Sequence, residues 1–95
     1  MNNEIKSIQK KISHILKEHK VTKAGIFGSY ARGEQNKKSD VDILIEVGND
    51  VGLIGFISLK MLIEKAIKKK IDLVEYDTIR KELKENILKE EIRII

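Results

Sequence analysis

The chain has 95 residues, with 19 lysines and arginines against 15 acids for a formal charge of +4, and it contains no cysteine. That length predicts one small domain over residues 1–95 with a modest core, and leaves no room for a second domain to hold an acceptor. Disulfides and thiolate metal sites are excluded, while mild basicity is compatible with a nucleotide, an RNA or an acidic protein without choosing among them.

Asn3 to Lys20 carries Ile5, Ile8, Ile12 and Ile15 or Leu16 at helical spacing with lysines between them, which predicts an amphipathic helix. Val21 to Phe27 reads as a strand ending at Gly28. A brief helix from Ser29 should follow, with Ser29 as its cap and Gly33 as its end. Glu34 to Lys38 is a polar loop, Asp40 to Val47 a second strand, and Gly48-Asn49-Asp50 the turn that closes it. Leu53 to Lys69 is predicted as a helix that is apolar around more of its circumference than a surface helix needs, so part of it should meet another chain. Ile71 to Tyr76 is a third strand. Asp77 or Thr78 is expected to cap a last helix in which Ile79, Leu83 and Ile87 share a face. The closing Ile92, Ile94 and Ile95 read as a short edge strand or a frayed end. The order predicts an α/β fold with a three- or four-stranded sheet. Lys60, Glu64 and Lys65 interrupt the longest apolar stretch, and no basic start precedes an apolar run, so neither a membrane span nor a secretory signal is expected and the cytoplasm is the default location.

The chemistry concentrates in two short runs. In Phe27-Gly28-Ser29-Tyr30-Ala31-Arg32-Gly33, a strand enters Gly-Ser, which offers bare amides and a hydroxyl to phosphate oxygens. In Ser39-Asp40-Val41-Asp42, two carboxylates one residue apart on a strand share a face at about 7 Å between alpha carbons and can converge on metal, while Val41, Ile43 and Ile45 turn to the core. Magnesium favours such hard oxygens and keeps positions for water and phosphate. Asp72, in Lys70-Ile71-Asp72-Leu73-Val74-Glu75-Tyr76, is the candidate third acid. Only five aspartates occur in the chain, and these are three of them.

Gly28-Ser29-Tyr30-Ala31-Arg32-Gly33 together with Ser39-Asp40-Val41-Asp42 resembles the signature of the DNA polymerase beta-like nucleotidyltransferases. The short length and Val74-Glu75-Tyr76-Asp77 are similar to the minimal nucleotidyltransferases (MNT proteins) within that superfamily, which pair as antitoxins with HEPN-domain toxins. The resemblance implies a polymerase beta-like fold with a mixed sheet and transfer of AMP from ATP to a tyrosine of a HEPN RNase. It further implies two magnesium ions, or manganese in their place, held by Asp40, Asp42 and Asp72, with Gly28, Ser29 and Arg32 on the nucleotide.

Each residue also has a plainer reading. Gly28-Ser29 alone is an ordinary capped turn, and Asp40 and Asp42 alone are polar residues at a strand entrance. Arg32 is as readily a solvated group as a phosphate ligand. Lys37 and Lys38, and the runs Lys10-Lys11 and Lys68-Lys69-Lys70, read as solvated charge without the interleaved aromatics that would make nucleic acid a direct substrate. His14 and His19 do not share a helix face and read as structural, and Tyr30 as half-buried over the core. A reading of another class remains open beside nucleotidyl transfer: a nucleotide-binding antitoxin that neutralises its partner by occlusion, with little or no catalysis.

Overall fold

The computed structural model describes residues 2–95. Helix α1 (Asn3–Glu18) starts where the Asn2 side chain accepts the Ile5 amide at 2.8 Å, and it buries Ile5, Ile8, Ile12 and Leu16 on one stripe. It stops two residues short of the expected Lys20, which takes a left-handed turn at φ 64. Strand β1 (Val21–Phe27) runs directly into α2 (Gly28–Arg32), and Gly33 closes that helix in the left-handed conformation at φ 71. Strand β2 (Val41–Val47), helix α3 (Leu53–Ile67) and strand β3 (Ile71–Glu75) follow. Helix α3 ends at Ile67, two residues short of the expected Lys69, and Lys68 closes it in the left-handed conformation at φ 58.

Four strands form one sheet in the order β3-β2-β1-β4. Strand β1 is antiparallel to β2 and to β4 (Ile92–Arg93), whereas β2 and β3 are parallel, so the sheet is mixed. Of the closing isoleucines, Ile92 lies in the short edge strand β4, opposite Ile26, while Ile94 and Ile95 follow it outside the strand.

Helices α1 and α3 cover one sheet face. Alternation along β2 sends Val41, Ile43 and Ile45 into that layer, where they meet Leu59 and Ile63 of α3 and Ile5 and Ile12 of α1, all fully buried. Each such burial contributes about 1.5–3 kcal/mol. Tyr30 also joins this core at 1% exposure, deeper than the half-buried place expected of it.

The last third departs most from expectation. Tyr76–Thr78 form a 3-10 turn, where the Thr78 hydroxyl donates to the Glu75 carbonyl at 2.9 Å and so caps nothing. Helix α4 (Lys81–Glu90) begins after Arg80 without a side-chain cap, leaving Ile79 outside it. None of its residues is buried; Leu83 is 49% exposed.

Candidate active site

The sheet face opposite the helical layer carries the acids. Asp42 lies within β2 and Asp72 within β3, and the two are register partners across the parallel pair, which sets neighbouring backbones about 4.8 Å apart. Asp40 sits one residue ahead of β2, so only Asp42 of the expected strand pair is within regular structure. On the other flank Phe27 is the register partner of Asp42, which brings the β1–α2 turn against the same carboxylate. Gly28, at φ 71, approaches so closely that a β-carbon there would overlap Asp42 Oδ2. The three aspartates line one open groove of about 810 Å³.

Asp42 is half-buried, and its carboxyl is pushed up to about 6, first by burial and then by the charges of Asp72 and Asp40; Arg32 pulls the other way. Uncompensated carboxylates of this kind call for a cation, and their hard oxygens suit a divalent one. Among the described residues no three acid or histidine side chains close around a single point as a metal cage would. As register partners on neighbouring strands, Asp42 and Asp72 have backbones close enough for rotation of the two side chains to bring both to one ion.

Ser29 does not cap α2 as expected: that helix has no side-chain cap, and the Gly28 amide donates instead to Glu90 Oε1 at 2.9 Å. Arg32 donates to Glu90 Oε2 at 3.0 Å and to Glu34 Oε1 at 2.7 Å. One carboxylate at the end of α4 therefore occupies two of the donors that the sequence motif offers to phosphate. Glu90 carries no sequence signal, because only the fold returns it from 62 residues away to Gly28.

Lys68, Lys69 and Lys70, with Lys60 of α3, line the groove that holds the aspartates. The Val41 amide, lying between Asp40 and Asp42, donates to the Lys70 carbonyl at 3.1 Å and fixes that run beside them. Glu64 accepts the Ile71 amide at 3.0 Å and braces the same turn. His19, by contrast, turns its Nδ1 to the Ile15 carbonyl at 2.8 Å, away from the acids on a helix end.

Helix α3 leaves Leu53, Ile54, Ile57 and Met61 exposed, at 74%, 83%, 47% and 64%, as its apolar circumference predicts. An apolar hollow of about 350 Å³ opens beside its start, between Phe56 and Val74 and separate from the aspartate groove. Among the described residues no helix is long and apolar enough to cross a membrane.

A parallel strand pair with facing aspartates, flanked by a Gly-Ser turn at the end of an antiparallel neighbour, defines the framework of a nucleotidyltransferase. The family model described as Polymerase beta, Nucleotidyltransferase matches residues 10–95. A Methanocaldococcus jannaschii protein named as a candidate protein adenylyltransferase, MJ0435, is 42% identical over 91 residues, covering 96% of this chain and 98% of its own. Protein adenylyltransferase MntA of Thermococcus cleftensis is 33% identical over 91 residues, covering 87% of this chain and 92% of its own. A solved structure described as a candidate minimal nucleotidyltransferase matches with a TM-score of 0.83 at 26% identity, over 94% of this chain and 91% of that one. A toxin-antitoxin crystal structure with AMP-PNP shares the fold, with a TM-score of 0.79 at 24% identity over 92% of this chain and 72% of that one. The chain belongs to the polymerase beta nucleotidyltransferase family, in its minimal nucleotidyltransferase group. Members of this family work with divalent metal.

Proposed function

We propose that this chain is the antitoxin of a HEPN/MNT-type pair and transfers AMP from Mg-ATP to a tyrosine hydroxyl of its partner RNase toxin, silencing it in the cytoplasm. The observation that carries the reading is the convergence of Asp42, Asp72 and the Gly28 turn at one register level, with Asp40 one residue ahead of the strand. The names of the relatives support it: one is protein adenylyltransferase MntA, and structures sharing the fold are toxin-antitoxin complexes, one with AMP-PNP.

In this reading Gly28 and Ser29 hold the outer phosphates through amide and hydroxyl, and Arg32 offsets their charge. Nucleotide binding then requires the Gly28 amide and Arg32 to exchange Glu90 for phosphate. Asp40, Asp42 and Asp72 would hold two magnesium ions, replaceable by manganese, whose charge when bound would offset the phosphates and ease loss of the acceptor proton. The tyrosine oxygen attacks the α-phosphorus; the new O–P bond forms as the bond to the bridging oxygen breaks, and its electron pair leaves with pyrophosphate. In the same reading Asp72 takes the hydroxyl proton and passes it to water.

The exposed apolar stripe of α3 favours a second reading, neutralisation by occlusion. An Asp40→Asn, Asp42→Asn double variant separates them. It should abolish neutralisation of the toxin if transfer is the mechanism, and leave neutralisation intact if the α3 surface suffices.

A further inference from the structure

The groove over the aspartates is acidic at its floor and basic along one rim. Lys60, Lys68, Lys69 and Lys70 form that rim, and the ion pairs among the described residues include none of them. Glu64, the acid among them, already accepts the Ile71 amide. Four lysines that repel one another, with no carboxylate at contact distance, favour an anion between them.

The strand order says which end of the substrate this anion belongs to. Asp42 is central, with Gly28 against it on the β1 side and Lys70 and Asp72 on the β3 side. Attacking and leaving oxygens lie roughly in line through the transferred phosphorus. With the triphosphate at Gly28 and Ser29, the attacking hydroxyl must come from the β3 side, past the lysines. A groove of about 810 Å³ holds far more than one hydroxyl.

Resting on the transfer reading above, we infer that the Lys60 and Lys68–Lys70 rim is an acceptor subsite, which recognises an anionic group carried beside the acceptor hydroxyl. That group is either a carboxylate of the acceptor protein or the phosphate of a nucleotide already attached to it. The rim acts on acceptor capture and not on ATP. Lysine suits this part because it meets either anion as a point charge, without the fixed geometry an arginine would impose.

The test compares the natural chain with a Lys68→Gln, Lys69→Gln, Lys70→Gln variant, which removes exposed or partly exposed charge and leaves the core untouched. With the co-encoded partner as acceptor, the variant should raise the KM for the partner about tenfold and flatten its salt dependence, while the Kd for Mg-ATP stays within about twofold. A weakened Kd for ATP with an unchanged partner KM would assign the lysines to the triphosphate and overturn the inference, as would no change in either.

A binding measurement stands apart from turnover. With a saturating non-hydrolysable ATP analogue present, amide shifts at 68–72 are followed on adding N-acetyltyrosinamide, a tyrosine peptide flanked by glutamates, or the AMP ester of N-acetyltyrosinamide. Both anionic probes should shift these residues more strongly than the neutral one, and the tighter of the two identifies the anion. Equal response to all three overturns the inference. Shifts at 68–72 from the anionic probes without any label reaching a partner would contradict the transfer reading, and the rim would then stand as an anion site without an acceptor role.

Discussion

Gly28 and Asp42 touch across the β1–β2 pair at a place that needs both a left-handed backbone and no side chain. With φ at 71 and a carboxylate oxygen where its β-carbon would stand, Gly28 accepts no replacement without moving Asp42. Gly28→Ala should cost about 1–3 kcal/mol of stability and lower the transfer rate roughly 100-fold through the displaced carboxylate. Thermal unfolding and single-turnover kinetics measure the two effects, and near-normal turnover would contradict this placement.

The raised carboxyl of Asp42 makes the metal-free protein sensitive to pH. Its folded value of about 6 lies above the ordinary 3.8, so its contribution is present below the unfolded value and lost as pH rises through about 6. Metal-free protein should therefore lose about 1 kcal/mol of stability between pH 4 and 7, after allowance for solvent around this half-exposed group, and Asp42→Asn should remove that loss. Divalent metal needs the ionised form, so its affinity should fall as pH drops below about 6. A metal affinity flat from pH 5 to 8 would contradict the assignment.

Residue patterns made most of this architecture legible. The stripe of Ile5, Ile8, Ile12 and Leu16, the alternation of Val41, Ile43 and Ile45, and the left-handed Gly33 each express a local rule that the packing obeys. The end of the chain follows no such local rule. Asp77 and Thr78 have the chemistry of a helix cap, but Tyr76 is drawn into a 3-10 turn, where it is buried and its hydroxyl donates to Glu91. Long-range partners escaped for a similar reason. The return of Glu90 to Gly28, and of Lys70 to the backbone between Asp40 and Asp42, depends on strand order, which no short motif encodes.

Glu90 holds the Gly28 amide and Arg32 at hydrogen-bond distance although it lies at a helix C-terminus, where a negative charge is disfavoured. Glu90→Gln should lower the Kd for Mg-ATP about fivefold, because the competing anion is gone, an effect of about 1 kcal/mol. Equilibrium nucleotide binding checks this. Weaker binding would mean that Glu90 serves by orienting Arg32.

The two sides of the helical layer should respond in opposite ways. Ile43→Ala, at a fully buried strand position, should cost about 2–5 kcal/mol. Ile54→Lys, at 83% exposure, should change stability by less than about 0.5 kcal/mol yet weaken capture of the partner by α3. Denaturant titration and partner pull-down separate the outcomes. An unaltered complex with Ile54→Lys would place the interface elsewhere.

The central claim is tested most directly by incubating α-labelled ATP and magnesium with the co-encoded partner, comparing the natural chain with the Asp40→Asn, Asp42→Asn double variant. The account predicts label on the partner only with the aspartates intact, together with loss of the toxin's RNase activity. A stable complex that binds nucleotide and silences the toxin without transferring label would contradict it.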